Sequence, residues 1–359
     1  MKIAYSLISF FFLLFYTPDS FSQSKKEMAA LQAKQAMYLI EGGKPDEAIK
    51  LLENAKKLDP SNINYPYEIA YARYSKKEYA RVIVILEKLL QHKDVNSKVY
   101  QLLGNSYDNL KERDKAIRTY TAGLNYFPKA PELYLELGNM SLGKKDYYDA
   151  LRNYENGIEA DPMFPSNYYW AAKLYCSSAE KLWGMIYGEI FLNLERNTKR
   201  TAEISKLLYY TYKTQIRFYA DSSVSVNFSK NVTVVTDPGK TKTRFAKDIF
   251  EPALLKAIGK ERSISINTLC TIRKKFIESY YDSSLYQQYP NVLFDYQYKA
   301  FRAGLSEAYT NWVLSSGNET ESANWIKENA TTWQRFMAWF LDTKMPLDSK
   351  YKFLSREHN

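Results

Sequence analysis

Asp237-Pro238-Gly239-Lys240-Thr241 has the look of a reactive loop, because it follows an apparent strand and precedes a helix. A Gly-Lys-Thr in that context can cradle phosphates with backbone N–H groups and a lysine. The motif needs another glycine five residues before Gly239, and Val234 stands there, so a plain turn is the favoured reading. His92 and His358 are the two histidines, one in a loop and one next to last in the chain. That nearly excludes histidine-based triads and most zinc sites. Cys176 and Cys270 are the two cysteines and lack metal-site spacing. Two separate thiols are favoured over a disulfide between them. Carboxylates such as Glu251, Glu278 or Asp282 could serve an enzyme, yet nothing fixes their spacing, so no catalytic residue is named.

Charge is more informative. The segment 199–359 has 24 Lys+Arg against 16 Asp+Glu, or +8 of the chain's net +10. Ten of those bases fall between Lys240 and Lys275: Lys240, Lys242, Arg244, Lys247, Lys256, Lys260, Arg262, Arg273, Lys274 and Lys275. Such a stretch could attract an acidic envelope surface, and otherwise reads as a solvated helix face.

The elements that must position these groups follow a period. Ala48, Val82, Ala116, Ala150 and Gly184 lie 34 residues apart. Large residues follow four positions on, at Leu52, Leu86, Tyr120 and Tyr154, and Pro60, Pro128 and Pro162 close their units. A fixed spacing of this length marks a stacked array. The third and fourth units, 97–130 and 131–164, carry the fullest pattern: Tyr100, Leu103, Gly104, Tyr107, Ala116, Tyr120 and Pro128, then Tyr134, Leu137, Gly138, Ala150, Tyr154 and Pro162. Units 29–62 and 63–96 precede them, and a degenerate unit, 165–198, follows. Small residues let paired helices approach, and aromatics fill the gaps between hairpins that cannot bury their own apolar faces alone.

These residues resemble the tetratricopeptide repeat (TPR), a helix–turn–helix unit. The residue pattern of 199–359, where no family is recognised, reads as mostly helical. A short β-hairpin is read there at 223–236, where Val224, Val226 and Phe228 alternate before Val232, Val234 and Val235. For 23–198 the resemblance implies a mainly α chain, a right-handed α-solenoid of about five units. It also implies a concave groove lined by the first helix of each unit. The matching positions are Tyr67, Tyr71 and Tyr74; Gln101, Asn105 and Asp108; Leu135 and Asn139; and Tyr169 and Lys173. Asn105 and Asn139 are the favoured pair, since an amide offers donor and acceptor to a peptide backbone. The lysines that support carboxylate capture in the family are mostly missing, as Gln101 and Leu135 show. The alternatives are a solvated surface or a groove filled by the protein's own C-terminal region.

Ile3–Tyr16 is apolar after Lys2, and Ser20-Phe21-Ser22 precedes Gln23. This reads as a signal peptide over 1–22, and so as an exported bacterial protein, periplasmic or secreted. An uncleaved anchor is the alternative. Later in the chain, Thr201–Ala220 is expected to be one helix capping the array. Further helices are expected near 244–258, 266–288, 292–314 and 321–341, with a short one after Pro346. The leading reading is a non-catalytic scaffold of the cell envelope, without a cofactor, that binds a protein or peptide in the TPR groove and no nucleic acid. An envelope polysaccharide-binding protein, or an enzyme with its site in the C-terminal region, are the alternatives.

Overall fold

The computed structural model describes residues 18–220, 222–230, 244–348 and 354–358. It divides into two compact units, Met1–Ala122 and Gly123–Asn359. That boundary follows contacts, whereas the division at 198 follows repeat pattern.

Helices in the first unit come in consecutive pairs. They are α1 (Pro18–Glu41), α2 (Pro45–Leu58), α3 (Asn64–Ser75), α4 (Tyr79–Leu89), α5 (Ser97–Asn109) and α6 (Arg113–Tyr126), the last crossing the boundary. Pro45 opens α2, Asp46 and Glu47 sit in its first turn, and Lys56 and Lys57 sit in its last. This order suits both proline's missing N–H and the helix dipole. The turn inside each hairpin is built the same way. Gly43, Lys77, Lys111 and Lys145 stand 34 apart and all have left-handed φ, between 62 and 75°. Each N–H reaches back to the carbonyl three residues earlier, as Lys77 does to Tyr74 at 2.8 Å and Lys111 to Asp108 at 2.8 Å.

The second unit continues with α7 (Pro131–Gly143), α8 (Tyr147–Ala160), α9 (Pro165–Ser177) and α10 (Lys181–Leu194). Then comes α11 (Lys199–Gln215), opened by a reciprocal Thr198/Thr201 capping box. Neighbours in sequence pack on one another from α7 through α11. The chain then departs from the expected single helix over 201–220. Ile216–Phe218 leave α11 as strand β1 and pair antiparallel with β2, Val224–Val226, with Ile216 opposite Val226. The expected second strand at 232–235, the turn at 237–241 and most of the expected signal peptide lie outside the described residues.

A π-helical turn, Phe245–Phe250, leads into α12 (Glu251–Ile258), followed by α13 (Ile266–Asp282), α14 (Leu285–Gln288), α15 (Val292–Arg302) and α16 (Ser306–Leu314). The expected helix over 292–314 is broken at Gly304, which takes φ 69°, and the one over 266–288 at Ser284, with φ 60°. After a 3-10 turn, Ser315–Gly317, come α17 (Glu319–Glu328), α18 (Ala330–Asp342) and α19 (Ser355–His358). The side chain of Asn318 caps α17 by accepting from the Glu321 N–H. One apolar core runs through this unit from Ala150 to Leu354, with Trp183, Tyr187, Phe191, Phe245 and Phe336 fully buried.

Candidate functional site

The two favoured asparagines sit in the same device. In α5, Gly104 lies under the Tyr120 ring from α6, so close that a Cβ there would run into it. The Tyr120 hydroxyl then reaches the next residue and donates to Asn105 Oδ1 at 2.6 Å. Thirty-four residues on, Gly138 lies under the Tyr154 ring and the Tyr154 hydroxyl donates to Asn139 Oδ1 at 3.0 Å. Glycine supplies the close approach, tyrosine the cross-helix link, and asparagine is held in place by it. Burial pushes the Tyr154 hydroxyl well above its usual range, with the Glu136 charge adding to it, so it stays a donor. The asparagines therefore present themselves through the amide nitrogen, because tyrosine engages the carbonyl oxygen. At Asn139 that nitrogen donates to Glu136 at 3.2 Å.

The other positions expected to line a groove in the first unit differ in their surroundings. Tyr67 and Tyr74 pack partly buried against a cluster containing Ala70, Val99 and Leu103. Asn109 in α5 donates to the Tyr74 hydroxyl at 2.9 Å, tying α5 to α3. Tyr71 is 42% exposed and Gln101 half-buried. Asp108 is half-buried and lies 3.8 Å from Arg113.

The positions in the second unit fare differently. Leu135 packs against the core. Tyr169 is buried, and its hydroxyl donates to Glu203 of α11 at 2.6 Å. Lys173 forms an ion pair with the same carboxylate at 2.7 Å and lies over the Trp170 ring. Burial alone would lower the Lys173 ammonium, but bonds to Glu203 and Tyr169 outweigh it and raise it. At this repeat Glu203 of α11 engages the two side chains expected to line a groove.

The basic stretch is not one surface. Lys256, Lys260, Arg262, Lys274 and Lys275 are exposed, whereas Arg244 is half-buried. Lys247, also half-buried, pairs with Glu251 at 2.8 Å. Lys240 and Lys242 lie outside the described residues. Arg273 must be removed from the set. It is buried and grips Glu189 of α10 through two bonds, at 2.6 and 2.9 Å, while Gln297 donates to the same carboxylate at 2.7 Å. A charge in a protein core needs such a partner, which is why Arg273 faces inward beside its solvated neighbours.

Sequence reasoning missed that pair and a second buried carboxylate. Glu155 of α8 receives the hydroxyls of Tyr175 at 3.1 Å, Tyr187 at 2.7 Å and Ser355. The Ser355 N–H also donates to the Tyr187 oxygen at 3.0 Å, so the chain's end is held against α8 and α10. A signal for the first pair existed: Glu189 is the lone charged residue in the mostly apolar run from Leu182 to Leu194. No local signal marked Ser355. Cys176 and Cys270 are both buried free thiols, and burial pushes each up to about 12, so neither is reactive near neutrality. Among the described residues, no cluster of His, Cys, Asp or Glu could hold a metal ion, and no helix is long and apolar enough to cross a membrane.

These consecutive helix pairs have the helix–turn–helix architecture of a tetratricopeptide-type array. Residues 97–129, the α5/α6 hairpin, match the family model described as tetratricopeptide repeat. The chain is similar to the TPR repeat-containing protein YpiA of Bacillus subtilis (strain 168), at 21% identity over 141 residues, 39% of this chain. That match spans only 33% of YpiA's length. Among solved structures it is similar to pilF of Pseudomonas aeruginosa (18% identity, TM-score 0.44, 53% of this chain and 86% of that one). It is also similar to TTC0263, a thermophilic TPR protein of Thermus thermophilus (15% identity, TM-score 0.43, 50% and 98%).

Proposed function

We propose that this chain is a non-catalytic scaffold of the cell envelope that takes an extended peptide segment of a partner protein along the first helices of its repeats. The binding face is that of α3 and α5, with Tyr71 exposed on it and Asn105 presented by Tyr120. One observation carries the reading: the Gly104–Asn105–Tyr120 arrangement recurs as Gly138–Asn139–Tyr154. In each hairpin a buried tyrosine holds the asparagine by its carbonyl oxygen, an arrangement that suits an amide kept for a peptide backbone better than it suits packing alone. Export is supported by the charged, apolar start of the chain and its small-residue break before Gln23.

Alanine at Asn105 would confound binding with folding, because it strips the Tyr120 hydroxyl of its acceptor, at about 1–3 kcal/mol. Asn105→Asp keeps that acceptor and replaces the amide donor with a second carboxylate oxygen, which carries negative charge and cannot donate. Peptides selected from a displayed random library on the intact chain should bind Asn105→Asp about ten-fold more weakly, as loss of one buried hydrogen bond implies. Peptides that bind both forms equally, or a library that yields none, would count against the proposal.

A further inference from the structure

A cleft of about 340 Å³ opens in the second unit between the α10–α11 junction and the α16–α18 segment. Its size falls in the range of small-molecule sites. Trp312, Ile326 and Trp333 give it apolar surface, while Asn197, Ser205 and Ser316 give it amide and hydroxyl groups. Among the described residues, no aspartate or glutamate lines it.

The walls are held firmly. Gly317 lets the 3-10 turn press against Tyr209, where any Cβ would collide with that side chain. The Ser316 N–H donates to Ser205 Oγ at 3.1 Å, fixing the turn to α11. Asn197 takes φ 58°, which turns the chain sharply from α10 into α11.

Arg196 is the cation of the cleft. Its guanidinium carbon lies over the Phe340 ring, 3.8 Å from the centroid, and the group makes one long contact of 3.5 Å to the Phe340 carbonyl. Among the described residues, no carboxylate lies within ion-pair distance of it. Arg200, four residues on, is fully engaged by contrast, with Glu195 and Ser166 as partners. A guanidinium held over an aromatic ring leaves other N–H donors for a planar carboxylate.

We propose that this cleft binds a saccharide carrying a carboxylate, of the uronic-acid type. The carboxylate meets Arg196, the sugar hydroxyls meet Asn197 and Ser316, and the apolar faces of the rings lie on Trp312 and Trp333. An aryl acid would satisfy the arginine and tryptophans but would cover the amide and hydroxyl groups without giving them partners, which is unfavourable. A neutral sugar would leave the arginine without an anion.

The test is titration of the full chain with tri-galacturonate, cellotriose and phenylacetate, read by tryptophan fluorescence. Saturable binding of tri-galacturonate is expected, with cellotriose and phenylacetate clearly weaker. Arg196→Gln should weaken it about ten-fold or more, the usual scale for one charge-assisted hydrogen bond, and Arg200→Gln should leave it unchanged. Asn197→Gly, which suits the left-handed backbone, should keep the fold and lower affinity several-fold, so a binding defect is separable from misfolding. Cellotriose or phenylacetate binding as well as tri-galacturonate would overturn the proposal. So would an unchanged affinity in both cleft variants, or no saturable binding of the acid.

Discussion

The third and fourth hairpins and the fifth share a frame but not a construction. Positions 104, 138 and 172 hold Gly, Gly and Ala; 105, 139 and 173 hold Asn, Asn and Lys; 120, 154 and 188 hold Tyr, Tyr and Gly. In the first two hairpins the tyrosine crosses to its partner helix and orients an asparagine. In the fifth the ring is gone. A Cβ on Gly188 would lie 2.9 Å from Leu208 and 3.1 Å from Ile204, both on α11. Helix α11 thus comes down where the tyrosine would have stood, and its Glu203 takes Tyr169 and Lys173. The hairpin turn changes too, since residue 179, next after Gly43, Lys77, Lys111 and Lys145, is not left-handed. A repeat array ends when the residue that links its helices is traded for space into which a different helix can dock.

The largest test of that contrast is Glu189→Ala on α10. It would leave Arg273 buried without its counter-ion and should cost about 3–5 kcal/mol in urea unfolding. No single change in the regular hairpins should match it. Next come the glycines. A Cβ at Gly104 meets a ring that cannot move aside, so Gly104→Ala should destabilise by about 1–3 kcal/mol. Gly188→Ala meets the flexible end of Leu208 and should cost clearly less. Equal losses would erase the distinction between the two hairpins. Smaller still, Tyr154→Phe removes one hydrogen bond and should cost about 1 kcal/mol, visible as a drop in thermal midpoint.

The smallest effect is set by pH in the regular repeats. Bonds from Lys76, then Arg73 and Arg81, hold the Glu78 carboxyl down to about 2, beside the left-handed turn at Lys77. A carboxyl lowered on folding stabilises above its unfolded value near 4.5 and loses that contribution as pH falls toward 2. Glu78→Gln should therefore lower the thermal midpoint at pH 7 and make little difference near pH 2.

The sequence carried the paired helices plainly, because Gly104, Gly138, Tyr120 and Tyr154 recur at a spacing that only a repeat explains. It did not carry the chemistry of the residues expected to line a groove. That Tyr120 would spend its hydroxyl on Asn105 depends on the register of two helices, which periodicity does not reveal. Strand β1 was hidden because Ile216 continues the apolar spacing of Leu208 and Tyr212, and what ends the helix is pairing with Val226 across a loop. Arg273 read as one base among ten, since its partner Glu189 is 84 residues away. The contact of Ser355 with Glu155 spans 200 residues and was equally out of reach.

The most direct measurement is amide hydrogen exchange on the intact chain with and without a selected peptide. Exchange should slow in α3 and α5, around Tyr71 and Asn105, with α9 around Lys173 unchanged because Glu203 of α11 already engages it. Protection centred on α9 and α11, with none in α3 and α5, would contradict a peptide groove on the regular repeats.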